Sequence, residues 1–132
     1  MGGFARFNSS LPLRLSELAI LTMGAHWRAK FEWFAHYPEG LKTGLDPVAL
    51  EAIRCGETPS FANEDEAAVY EFSHELLNKK RVSDAAFHRA KAALGELSLV
   101  DLVGVLGFYG LVSMTLNSFG VDLPEGAEDP FP

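Results

Sequence analysis

An all-α fold of about six helices is what this sequence predicts, and three observations carry the prediction. Apolar residues recur at helical spacing, and no stretch shows the alternation of a half-buried strand. Residues that start and stop helices fall in matched pairs, such as Asp46 and Pro47 before, and Gly56 after, one short segment. The connections between these segments are short, as in helix bundles.

The chain has 132 residues, enough for one domain that buries a core without disulfides or metal staples. Eighteen acidic against eleven basic residues give a net charge of −7, and no basic cluster is larger than Lys79-Lys80-Arg81. A phosphate-backbone binder needs a basic stripe, so no nucleic-acid partner is expected. The single cysteine, Cys55, excludes an intrachain disulfide and fits a reducing cytoplasm, the expected location. The opening MGGFARFNSS lacks an apolar signal-peptide core, and no run of about 18 uninterrupted apolar residues suggests a membrane span.

Residues 1–10 read as an irregular lead-in or the last turn of a truncated helix, 11–122 as the helical domain and 123–132 as an extended tail. Ser10 or Asn8 can cap the first helix, with Pro12 in its first turn. From Leu13 to about Gly24 the apolar residues leave almost no polar face, the mark of a buried helix. Glu17 shares its face with Leu13, Ile20, Leu21 and Gly24, so a carboxylate points into apolar surroundings and needs a partner or a proton.

A second helix is predicted from about Ala29 to Leu41. Glu32 and His36 lie four apart on it, with Arg28 one turn earlier. Asp46 and Pro47 open a short helix to about Cys55. Asn63 opens a longer one, with Glu66 at capping-box spacing, an acidic first turn and Lys79, Lys80 and Arg81 in the last.

Ser83 and Asp84 begin a helix that Gly95 ends. Ser98 and Asp101 then open the longest apolar segment, in which Gly104, Gly107 and Gly110 recur every three residues. Such spacing costs helix propensity but lets another backbone approach, so this helix is expected to be central or to lie between subunits. The tail VDLPEGAEDPFP has too little apolar content to pack alone, and is expected to be disordered or to lie along a neighbouring chain.

With the helices in this order, LRLSELAIL, EWFAH, VSDAAF and ELSLVDLVGVLGFYGLVSMTLNSFGVDL resemble the carboxymuconolactone decarboxylase family, over roughly residues 8–122. The resemblance implies the six-helix fold shared with the alkylhydroperoxidase D proteins, and self-association as a trimer or hexamer. In the peroxidase branch a glutamate precedes a Cys-x-x-Cys pair and then a histidine. Here Glu17 and His36 take the glutamate and histidine positions, while Ala29 and Glu32 stand where the cysteines would be. Peroxide reduction of that type needs a low-pKa thiolate beside a resolving thiol, which Ala29 and Glu32 do not supply.

The resemblance therefore implies proton chemistry at Glu17, Glu32 and His36, with Arg28 and Trp33 as substrate-binding candidates, on a small organic acid or lactone. It implies no cofactor and no metal. On spacing alone, Arg28, Glu32 and His36 would form a solvated stripe, and Glu17 a structural carboxylate paired with Arg28. A non-catalytic oligomeric or small-ligand-binding protein is the alternative. His26 reads as a junction histidine, His88 as a surface one, and Cys55 as an inert thiol. Glu71 and His74 have the spacing of a di-iron motif, but such sites need two of these motifs.

Overall fold

A computed structural model describes residues 10–132, and among them the secondary structure is entirely helical, in six helices. These are α1 (Leu13–Trp27), α2 (Lys30–Lys42), α3 (Pro47–Arg54), α4 (Glu64–Lys79), α5 (Asp84–Leu94) and α6 (Glu96–Ser118). The predicted lead-in falls almost wholly on residues 1–9, outside the described part.

The first helix is the axis of the fold. Every residue from Leu15 to Gly24 is buried, because α6, α2, α4 and α3 all pack around it. Leu15, Leu18, Ile20 and Leu21 lie at 0–1% exposure and join Leu50, Val69, Leu102 and Val105 in one core. Removing that much apolar surface from water is the main force holding the bundle together.

The short-range signals act where they were read. Asp46 accepts from Val48 N at 2.9 Å ahead of Pro47, and Ser83 Oγ accepts from Ala86 N at 3.2 Å. Gly56 and Gly95 take the positive φ angles that end helices, 77° and 83°.

Long-range partners override other local expectations. Ser10 does not cap α1. Its backbone N–H and hydroxyl both donate to Asp101 on α6, at 2.8 and 2.6 Å, which ties the entrance of the chain to the last helix. Glu66 does not close a capping box at Asn63, which makes no side-chain cap. Instead its carboxylate takes a hydrogen bond from Arg14 on α1, while Arg14 Nη2 pairs with Asp65 Oδ2 at 2.7 Å. The first helix also runs three residues past Gly24 and ends where Arg28 turns left-handed at φ 51°.

The tail is the largest departure. It folds back on its own chain. Lys30 Nζ sits 3.1 Å from Asp122 and 3.9 Å from Asp129, and Arg54 Nη1 donates to the Pro130 carbonyl at 2.7 Å. Phe131 meets Trp33 edge to face, with ring centroids 5.7 Å apart. Judged by its own apolar content the segment cannot hold itself. What holds it is the aromatic slot and the basic side chains of α2 and α3.

By length and composition α6 is apolar enough to cross a membrane, and 39% of its apolar window is buried inside the fold.

Candidate functional site

Three of the singled-out side chains converge between α1, α2 and α6. His36 Nδ1 and Glu17 Oε2 are 2.8 Å apart, and His36 Nε2 faces Glu32 Oε1 across 3.7 Å. On the far side of Glu32, the Ser113 hydroxyl donates to Oε2 at 3.0 Å. Glu17 is fully buried, Glu32 is 3% exposed and His36 8%. The exposed-stripe reading of Glu32 and His36 therefore does not hold.

The helices deliver these groups for simple reasons. The i, i+4 spacing sets Glu32 and His36 on one side of α2, facing the buried α1. Gly24 is a contact point inside α1 rather than its end. A Cβ there would stand 3.3 Å from Glu32 Cγ, so the missing side chain is what lets α2 carry Glu32 this close. Tyr109 of α6 packs edge-on against the imidazole at 5.3 Å, which fixes the plane of the ring.

With Glu17 accepting, the Nδ1 position of His36 carries the hydrogen and Nε2 presents its lone pair toward Glu32. Burial is the main reason the Glu32 carboxyl is pushed up to about 7. The Ser113 hydrogen bond and the neighbouring imidazole oppose that shift, while the Glu17 carboxylate adds to it. Glu32 is thus a carboxyl that keeps its proton to near neutrality, beside a nitrogen able to take or pass one. The arrangement suits general acid–base chemistry.

Ser113 was not among the sequence candidates. Its signal was available: a hydroxyl on the inward side of a nearly all-apolar helix wants a polar partner.

Arg28 and Trp33 lie elsewhere. Arg28 caps α1 on the surface, stacks over Phe131 at 5.5 Å and donates to the Pro132 carbonyl at 3.1 Å. Among the described residues it pairs with neither Glu17 nor Glu32, and Glu17 pairs with His36. Trp33, 4% exposed, packs on Tyr37 and helps wall a cleft of about 690 Å³ between α2, α3 and the tail. Glu17, Glu32 and His36 do not line this cleft.

The remaining candidates have ordinary surroundings. His26 packs edge-on with Trp27, and burial lowers its pKa. His74 stacks on Tyr70 and bonds Asn78, while Glu71 is bound to Arg89 from α5, so the two do not act together. His88 is exposed. Cys55 is exposed at the end of α3, where a hydrogen bond with Glu51 raises its pKa. Among the described residues, no group of three or more His, Cys, Asp or Glu side chains is arranged to hold a metal ion.

No family model, curated protein or solved structure matches this chain.

Proposed function

We propose that this is a carboxymuconolactone decarboxylase-like protein that performs cofactor-independent decarboxylation, or related proton transfer, on a small organic acid or lactone. The observation that carries the reading is the buried line Glu17, His36, Glu32, Ser113, within which burial pushes the Glu32 carboxyl up to about 7. The order of the helices and the motifs that resemble the family support it.

In this reading the substrate's C–C bond to its carboxylate breaks and CO2 leaves. The electron pair stays on the substrate carbon, delocalised into a neighbouring carbonyl. The Glu32–His36 pair holds the proton that quenches this carbanion, delivered from the more exposed partner, His36, and replaced from solvent. Glu17 holds the ring in the tautomer that presents Nε2. Trp33 offers an apolar wall in the neighbouring cleft between α2, α3 and the tail.

A second reading is favoured by one observation, that the trio lines neither this cleft nor the smaller one around His26 and His74. The cluster is then a structural network of a non-catalytic helical protein. Incubating the protein with a panel of lactone acids and following CO2 release separates the two. Turnover that falls at least about 100-fold in His36→Ala supports the first. Absence of turnover across the panel, with His36→Ala losing only thermal stability, supports the second.

A further inference from the structure

The outward side of α6 carries a stripe that the fold does not use. Leu97, Val100, Gly104, Gly107, Leu111 and Met114 stand three, four, three, four and three residues apart, the spacing of a helix–helix seam. All six are exposed, and the four side chains are 44–68% accessible. Val103 flanks the stripe at 47%, and Phe119 and Val121 extend it past the helix. The opposite side of the same helix, from Leu99 and Leu102 to Tyr109 and Ser113, is buried against the rest of the chain.

The two exposed glycines are the informative part. Each costs about 1 kcal/mol of helix stability relative to alanine. Among the described residues, a Cβ added at Gly104 or Gly107 would meet nothing within 4 Å. Gly110 differs, since there the Met23 side chain closes in to 3.5 Å. The packing reason that Gly110 has inside the molecule, Gly104 and Gly107 lack.

We infer that α6 is a two-fold interface with a second copy of this chain, formed by antiparallel packing of the two α6 helices across Gly104 and Gly107. The stripe reads the same in both directions about a point midway between Val105 and Leu106. In an antiparallel pair Leu97 meets Met114 of the second copy, Val100 meets Leu111, and Gly104 meets Gly107. The largest side chains stack at the two ends, and the backbones come closest where side chains are absent. Val103 falls opposite Phe108 at the flank. Self-complementarity of this kind is what an isologous contact requires.

Seven large apolar side chains on one side of α6 and just past its end, 39–81% exposed, are more than the single scattered apolar residues of an ordinary surface and mark a contact face. A bilayer is the poorer fit. The buried half of α6 is held by Ser113 to Glu32 and by Asp101 to Ser10, so the helix cannot enter lipid without dismantling the core. A two-fold contact yields a dimer, or a hexamer built of such pairs, but not a lone trimer.

Sedimentation of the full chain tests this. The wild type is expected to dimerise at micromolar concentration. Val100→Glu with Leu111→Glu is expected to weaken association by about 100-fold, with an unchanged circular dichroism spectrum. Gly107→Leu acts in the same direction by holding the backbones apart. In a Cys55→Ser background, a mixture of Val100→Cys and Leu111→Cys chains should cross-link to each other. Preferential cross-linking between two Val100→Cys chains would overturn the antiparallel arrangement. A wild type that stays monomeric at high micromolar concentration, or an assembly indifferent to these substitutions, would overturn the interface. So would a monomer that sediments with phosphatidylcholine–phosphatidylglycerol vesicles, which would assign the stripe to a membrane.

Discussion

Two buried glutamates of this protein have opposite fates. Glu66 is 4% exposed and Glu32 is 3% exposed, so solvent treats them alike. Glu66 faces a guanidinium, which also grips Asp65, and its charge is matched inside the fold. Glu32 faces a hydroxyl at 3.0 Å and an imidazole at 3.7 Å, and burial drives its carboxyl up to about 7. A buried carboxylate given an arginine becomes a fastener. One given only a serine and a histidine keeps a proton to trade, and that difference, not burial, marks the candidate site.

The contrast predicts its largest effect at Glu32. Its folded pKa is raised from 4.5 to about 7, so the folded state holds a proton that the unfolded state has released between those values. Stability contributed by this group is full below about 4.5, falls as pH rises to about 7, and stays low above. The difference amounts to roughly 3 kcal/mol. Glu32→Gln, which keeps the neutral shape, should therefore match the wild type near pH 4.5 and exceed it by up to roughly 3 kcal/mol at pH 8, measured by urea unfolding across that range. A variant less stable than the wild type at pH 8 would show that Glu32 is ionised at no cost, and the contrast with Glu66 would collapse.

On the fastener side, Arg14→Met leaves Glu66 buried without its cation. Arg14 is itself 26% exposed, so the loss belongs at the low end for broken buried pairs, about 2–3 kcal/mol. Denaturation at neutral pH reads this directly. Adding Glu66→Leu should restore most of the loss, because an apolar pair of similar volume needs no partner. No such rescue is expected at the Glu32 site, where the proton and not the charge is the point.

Ser113→Ala sharpens the comparison by a smaller amount, about 1 kcal/mol. The serine bond holds the Glu32 pKa down, so its removal should carry the pH-dependent decline to higher pH. Titration of the Glu32 carboxyl by carbon-13 NMR would show the shift. An unmoved titration would mean that Ser113 does not tune the carboxyl.

Much of the architecture could be read from short stretches, because caps and glycine stops act within a few residues. Asp46, Ser83, Gly56 and Gly95 do locally what their side chains, or lack of them, dictate. Helical period alone put Glu17 inward and set Glu32 and His36 side by side, but it left the latter pair on a solvated stripe, and only the family resemblance drew the three together. What the sequence hid is separated along the chain. Arg14 reaches Glu66 from 52 residues away, and Ser113 reaches Glu32 from 81. Spacing assigned Glu66 to a local cap worth about 1 kcal/mol, and a distant guanidinium outbid it. Arg28 was misread by one step of backbone: its left-handed turn removes it from the helix whose face it was expected to share.

The tail shows two kinds of order coming apart. Between Leu123 and Pro132 the backbone joins no helix, and its links to the body run from Arg28, Lys30 and Arg54 and through Phe131. Side chains hold it in place, while the amides of Leu123, Ala127 and Phe131 bond to groups within three residues along the chain. In deuterated solvent those amides should exchange within seconds, as they would in an unfolded peptide, even while the Trp33 emission spectrum reports Phe131 seated against the indole. Amide protection alone would score this segment as loose, and fluorescence alone would score it as packed. The segment is positioned without being protected.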